Sequence, residues 1–171
     1  LVADGASLFI EHRDGVFRYL CRMVGHAEDA RDLTQEVFLR VARAPVRPGE
    51  PAERRAWVFH IARNLALNHA RDGRRRPAEV VIDVDPGGRA TQETAAAVQQ
   101  ALAALEDLDR DVFLLRESAG LSYDEIARAC EISADAVRSR LHRARHTLRV
   151  ALRAPVSEQI ARGVRWKDSK S

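Results

Sequence analysis

The sequence predicts an all-α protein of two small helical domains, the second a helix-turn-helix, and three observations carry the prediction. Ala, Leu and Arg dominate, aromatic residues make up 5%, and β-branched runs are absent outside Val80-Val81-Ile82, a composition that favours helix. Apolar residues recur at helical spacing in two blocks. Between the blocks, "PAEVVIDVDPGGRAT" carries Pro and Gly-Gly punctuation without a helical period, so it reads as a linker. With 171 residues, 46% hydrophobic and 31% charged, the chain can bury one moderate core or two small ones. The expected division is residues 1–76, a linker at 77–94, residues 95–153, and a C-terminal extension at 154–171.

The first helix is expected from Leu8 to about Val24, with Phe9, Val16, Phe17, Leu20 and Val24 inward and Gly25 as its stop. Glu28 and Asp29 open a second, where acids suit the helix dipole. Ala30, Leu33, Val37 and Val41 form its stripe until Pro45 interrupts it. A third runs from about Ala52 to Arg71 with Trp57, Ile61, Ala62 and Leu65 inward. Val80 to Val84 has strand character but no partner strand. The second block starts near Gln92, and Val98, Leu102 and Leu105, then Val112, Leu114 and Leu115, supply the apolar faces of two helices. "EDLDRDVFLLRE" has no Pro at its start, so Asp109 is the expected cap. Past residue 153, Val156, Ile160 and Val164 stand at the spacing of a short amphipathic helix.

The stretch "LSYDEIARACEISADAVRSRLHRAR" holds two short helices and a break. Ser122 and Glu125 stand at capping-box spacing, Ser133 can cap the second helix, and Val137 and Leu141 form its buried side. Glu131 occupies a turn position where glycine is common; a positive φ there costs on the order of 1 kcal/mol. No acid occurs between Ala136 and Ser157, while Arg138, Arg140, Arg143, Arg145, Arg149 and Arg153, with His142 and His146, cover the faces left by the apolar stripe. Arginine's planar fork suits phosphate and guanine, and a helix of this diameter fits the major groove. Ser133, Asp135, Arg138, Ser139, Arg140, His142, Arg143 and Arg145 are therefore the candidate duplex contacts. Asp135 has two readings, support of the helix N-terminus or acceptance from cytosine N4.

Two further surfaces carry chemistry. The second helix places Asp29, Asp32, Gln35 and Glu36 away from its apolar stripe, as a solvated acidic face or a docking surface. The third combines cations with flat or amide side chains: Arg54, Arg55, Trp57, Phe59, His60, Arg63, Asn64, Asn68, His69 and Arg71, followed by Arg74-Arg75-Arg76. Such a set suits unstacked bases, whose edges and π-faces a duplex hides. Trp57 shares the Ile61 stripe and so also reads as core.

The stretch from Leu121 to Arg145 resembles region 4 of an extracytoplasmic-function sigma factor, a class of bacterial transcription-initiation factor. "AEDARDLTQEVFLRVARA" followed by "RAWVFHIARNLALNHARDGRRR" resembles its region 2. The resemblance covers roughly residues 8–76 and 95–152. It implies that the first domain binds core RNA polymerase, through Asp29, Asp32, Gln35 and Glu36. It also implies that this domain opens the minus-10 element through Arg54, Arg55, Trp57, His60, Arg63, Asn64, Asn68 and Arg71. Asn64 matches the family position that helps hold a flipped base. The second domain is implied to read the minus-35 duplex. An anti-sigma partner is implied too. The loop "RPGEPAERRAW" departs from the commoner family loop and leaves the preferred minus-10 base open.

Other chemistries lack their residues. The sequence has no Gly-rich phosphate cradle, HExxH motif or nucleophile pattern, so neither catalysis nor a cofactor or metal is expected. Cys21 and Cys130 are expected as small buried hydrophobes. Absence of a membrane-length apolar run and of a signal pattern points to the cytoplasm. The competing readings are a freestanding helix-turn-helix regulator, which leaves the acidic helix unexplained, and a nucleic-acid-processing enzyme, which would need a carboxylate cluster beside the basic surface.

Overall fold

A computed structural model describes residues 5–45, 49–72 and 92–153, and each regular element among them is an α-helix. These are α1 (Gly5–Val24), α2 (Ala27–Arg43), α3 (Pro51–Arg71), α4 (Gln92–Ala103), α5 (Asp107–Glu117), α6 (Tyr123–Cys130) and α7 (Ala134–Arg153). The stretch around Val80–Val84, Arg74-Arg75-Arg76 and the extension past 153 lie outside the described residues. Residues 92–94, read as the end of the linker, already belong to α4.

In the first lobe α1, α2 and α3 pack against one another. Helix α1 buries Leu8, Val16, Tyr19, Leu20 and Cys21 and ends where Gly25 turns to φ 77°, its N–H donating to the Cys21 carbonyl at 3.0 Å. Phe9, expected inward, is 39% exposed; the buried row runs through Leu8, one position away, and the Phe9 ring meets Phe38 edge-on at the rim. Helix α2 buries Ala30, Val37, Phe38 and Val41, with Leu33 half-buried. Pro51 opens α3, and the Glu53 carboxylate accepts the Glu50 N–H at 3.3 Å. Its buried set is Ala56, Val58, Phe59, Ala62, Leu65 and Ala66, while Trp57 and Ile61 are only half-buried. The inward arc is therefore rotated and broader than the sequence pattern, because α3 is covered on one side by its own lobe and on another by α6. Phe59, grouped above with base-contacting side chains, is core, its ring edge-on to Tyr19 at 6.2 Å.

In the second lobe, Glu106 occupies the N-cap position of α5, and Asp109, the expected cap, instead lies within the first turn and reaches across to α7. The Ser122 hydroxyl accepts the Glu125 N–H at 3.2 Å and the Glu125 carboxylate accepts the Ser122 N–H at 2.6 Å, closing the capping box of α6. Ser133 caps α7 by accepting the Ala136 N–H at 3.1 Å, and Val137, Leu141, Ala144 and Leu148 are its buried side. Glu131 adopts the left-handed conformation, φ 57° and ψ 43°, that lets the Ile132 N–H reach the Ala127 carbonyl. Glycine would relieve that strain but loses more backbone entropy on folding, so Glu131→Gly should raise stability by about 0.5–1 kcal/mol in a urea melt. A melt unchanged or lowered by the substitution would show that the strain at Glu131 does not exceed the entropy cost of glycine.

The two lobes do not stand apart. Helix α3 lies along α6, α1 meets α5, and the buried apolar residues of both lobes form one contiguous cluster. Cys21 and Cys130 are buried as expected; burial pushes the Cys130 thiol up to about 12, which keeps it protonated and inert.

Candidate nucleic-acid interface

Helix α7 presents the first candidate surface. Ser133, Asp135, Arg138, Ser139, His142, Arg143 and Arg145 are exposed, and Arg140 is half-buried. Several of these arginines are paired, one with the acid in the first turn of α7 and others with acids of α5. Arg138 pairs with Asp135 one turn back at 2.6 Å, and Arg145 donates to Glu117 of α5 at 3.0 Å. Both pairs are solvent-exposed and cost little to exchange for phosphate. Asp135 thus supports Arg138 rather than standing free at the helix start.

Asp109 is different. Its carboxylate, 2% exposed, accepts from Arg140 Nη1 at 2.8 Å, Arg143 Nε at 2.6 Å and Arg143 Nη2 at 3.2 Å. Burial pushes its carboxyl up, but the hydrogen bonds from Arg143 and Arg140 outweigh that and hold it below the usual range. The bonds use the Nε/Nη2 side of the Arg143 guanidinium, so the end-on Nη1/Nη2 edge remains for a guanine or phosphate. Sequence reasoning placed Asp109 as a cap and missed this role. The available signal was an acid beside Leu108 and Val112, inside the apolar arc of α5.

The α3 set divides. Asn68 and Arg71 are exposed, Trp57 is half-buried, and Arg54 donates to the Gly49 carbonyl. Arg55, His60, Arg63 and Asn64 face the second lobe. Arg55 Nη2 donates to the Ala119 carbonyl at 2.5 Å, and Arg63 Nε donates to Asp111 at 2.6 Å. His60 Nδ1 lies 3.0 Å from the Ala129 carbonyl and its Nε2 lies 2.9 Å from the Asn64 amide nitrogen. This pattern fits the tautomer with the proton on Nδ1, His60 donating to the carbonyl and accepting from Asn64. Asp111 is completed by the Tyr19 hydroxyl at 2.6 Å. Burial pushes the Asp111 carboxyl up, while the Tyr19 and Arg63 hydrogen bonds pull it down less strongly. Tyr19 and Asp111 were absent from the sequence reading, since their partners are distant along the chain.

The acidic face of α2 also divides. Asp32 and Gln35 are exposed, and Glu36 forms a surface pair with Arg40 at 2.7 Å. Asp29 is 19% exposed and lies 3.5 Å from His69 of α3, so it belongs to the α2–α3 contact rather than to a free face. Leu39, 41% exposed, continues the Asp32–Gln35–Glu36 face by one turn. Among the described residues no group of three metal-ligating side chains comes together, and no helix is long and apolar enough to cross a membrane.

Comparison with known proteins places this geometry. Sigma-70 region 2 matches residues 8–76 and Sigma-70, region 4 matches residues 95–148. The chain is 36% identical over 158 residues to the ECF RNA polymerase sigma factor SigE of Mycolicibacterium smegmatis, covering 86% of this chain but 61% of that relative. It spans about half, 51%, of the probable ECF sigma factor SigI of Mycobacterium tuberculosis, at 34% identity over 80% of this chain. With SigL of Mycobacterium tuberculosis it shares 35% identity over 156 residues, 85% of this chain and 87% of that one. In fold it is similar to CnrH, solved in complex with the cytosolic domain of CnrY, with a TM-score of 0.66 at 25% identity over 86% of each chain. It is similar as well to RpoE of Bartonella quintana, solved with the anti-sigma factor NepR, with a TM-score of 0.71 at 20% identity over 88% of this chain and 97% of that one. Both regions are matched in order and SigL is matched over most of its length, so the chain belongs to the ECF RNA polymerase sigma factors.

Proposed function

We propose that this chain binds core RNA polymerase through the exposed face of α2, reads a minus-35 duplex with α7 and helps open the minus-10 element with α3. In this reading it regulates transcription initiation and is not a catalyst. The observation that carries it is α7 itself: a capped second helix of a helix-turn-helix, its apolar side buried, with Ser133, Arg138, Ser139, His142, Arg143 and Arg145 turned to solvent. Leu39 supplies exposed apolar surface beside Asp32 and Gln35 on the polymerase-facing side, whose removal from water in an interface would be favourable. An anti-sigma partner and a cytoplasmic location complete the proposal.

Run-off transcription with purified core polymerase on a promoter library tests the whole reading. Specific initiation supports it, and core polymerase that gains no promoter selectivity from the chain overturns it. A narrower test addresses α3. Asn64→Ala should leave minus-35 duplex affinity unchanged, because Asn64 lies on the other lobe, yet lower permanganate reactivity of minus-10 thymines by removing an amide contact to an extruded base. Unchanged thymine reactivity would remove Asn64 from the strand-binding set.

A further inference from the structure

We propose that the chain holds a binding site for a small amphiphilic carboxylate, in a cavity where the end of α1, the end of α3 and the first turn of α5 meet. The proposal goes beyond the role in transcription and does not rest on it.

The cavity follows from small residues. Ala66 and Ala70 stand one turn apart near the end of α3, and Met23 and Val24 are the last residues of α1 before Gly25 stops it. The corner that Arg110 closes from α5 therefore keeps a volume of about 300 Å³. That is the lower end of the range small-molecule sites occupy. The wall is divided in character. Met23, Val24 and Leu67, each half-buried, give an apolar surface, whereas Arg71 at the exposed end of α3 and Arg110 give positive charge. Among the described residues of the lining, Asp107 is the one acid.

Arg110 is the group that points to a ligand. Its side chain is 12% exposed, yet among the described residues its one hydrogen bond runs from Nη2 to Asp107 at 3.2 Å, and its buried Nε has no acceptor. A guanidinium carries several N–H donors, and leaving a buried one without an acceptor costs free energy. Asp107, 83% exposed, is a weak partner for which water competes. A ligand carboxylate entering the cavity replaces it. One oxygen accepts from Nη2 and the other from Nε as the guanidinium turns toward the cavity, the bidentate geometry that arginine favours. The apolar body of the ligand then covers Met23, Val24 and Leu67, and Arg71 at the exposed end adds a second positive charge. A bare anion lacks the body and an alcohol lacks the charge, so neither uses both halves of the wall.

The test is isothermal titration calorimetry of the full chain with sodium octanoate and sodium phenylacetate, which separate an alkyl from an aromatic body. Sodium acetate and 1-octanol carry the charge and the chain alone. Circular dichroism checks that each variant is folded. Octanoate or phenylacetate should bind wild type saturably at a single site, and acetate and octanol about tenfold more weakly. Arg110→Gln removes the guanidinium fork, and Ala70→Trp fills the cavity from an exposed position of α3. Each should weaken binding by about tenfold, whereas Asp107→Asn, which removes the competing carboxylate, should tighten it. If both Arg110→Gln and Ala70→Trp bind as wild type does, the ligand lies elsewhere and the site is overturned. Loss in Ala70→Trp alone would overturn Arg110 as the anchor. Acetate binding as tightly as octanoate would mean an adventitious ion only, and no saturable binding of either carboxylate to wild type would overturn the proposal outright. Neither result bears on promoter recognition, which run-off transcription decides.

Discussion

Asp109→Ala is expected to lower stability by about 1–3 kcal/mol at neutral pH and to weaken minus-35 duplex binding more than loss of any one exposed arginine of α7. The carboxylate is 2% exposed and accepts three hydrogen bonds from Arg140 and Arg143, so it joins the first turn of α5 to the middle of α7. Charge-assisted bonds of this kind exceed neutral ones, and the substitution leaves two guanidiniums without their common acceptor. The cost stays below that of a sealed pair because Arg143, 54% exposed, can turn to water. Duplex binding suffers twice in this scheme, since the Arg143 edge loses its orientation and α7 loses a brace against α5.

The same substitution has a pH signature. Hydrogen bonds from the two arginines hold the folded Asp109 carboxyl below its ordinary value of 3.8, against the upward push of burial. A carboxyl depressed on folding contributes its stability above the unfolded value and loses it as pH falls through the folded one. Wild type should therefore exceed Asp109→Ala in urea melts throughout the neutral and mildly acidic range, and the gap should close only below pH 3.8. Equal melting of the two proteins at neutral pH would show that Asp109 does not brace α7.

What could be read along the chain was whatever the chain decides locally. The Ser122–Glu125 capping box and the Ser133 cap are fixed within four residues, and sequence reasoning placed both, with Glu131 marked as the turn position between them. The buried row of α7, Val137, Leu141, Ala144 and Leu148, was legible for the same reason, a clean helical period against one neighbouring surface. Helix α3 failed that test because two surfaces cover it. Its apolar residues spread round most of the helix, and a single stripe through Trp57 and Ile61 caught Ala62 and Leu65 but missed Val58 and Phe59. The charged contacts were illegible for another reason. Asp109 and Asp111 meet partners 31 to 92 residues away, and no local period encodes such a meeting. The absence of acids between Ala136 and Ser157 holds along the chain, yet Asp135 on α7 and Asp109 and Glu117 on α5 meet those arginines in space. The same distance hid the tie between Asp29 and His69, which removes Asp29 from the acidic face it was grouped with.

The combined variant Asp32→Ala with Gln35→Ala is expected to abolish association with core polymerase, and with it run-off transcription, while leaving the fold and minus-35 binding intact. Both residues are exposed, and the buried side of α2 is supplied by Ala30, Val37, Phe38 and Val41. Surface substitutions of this kind usually shift stability by no more than about 0.5 kcal/mol, so helical circular dichroism and the urea midpoint should be preserved. Asp29 is left out of the variant because its contact with His69 would confuse a lost dock with a loosened α2–α3 contact. Glu36 is left out because its pair with Arg40 would leave an unmatched cation on the same face. A regulator that acts on DNA alone would be indifferent to both changes. Loss of polymerase binding with duplex binding retained would therefore locate the dock on α2 and separate it from α7. If the variant still binds polymerase normally, Leu39→Asp becomes the discriminating substitution, since it puts a charge in place of the exposed apolar surface at the end of the same face. Normal polymerase binding by that variant too would exclude this face of α2 as the dock.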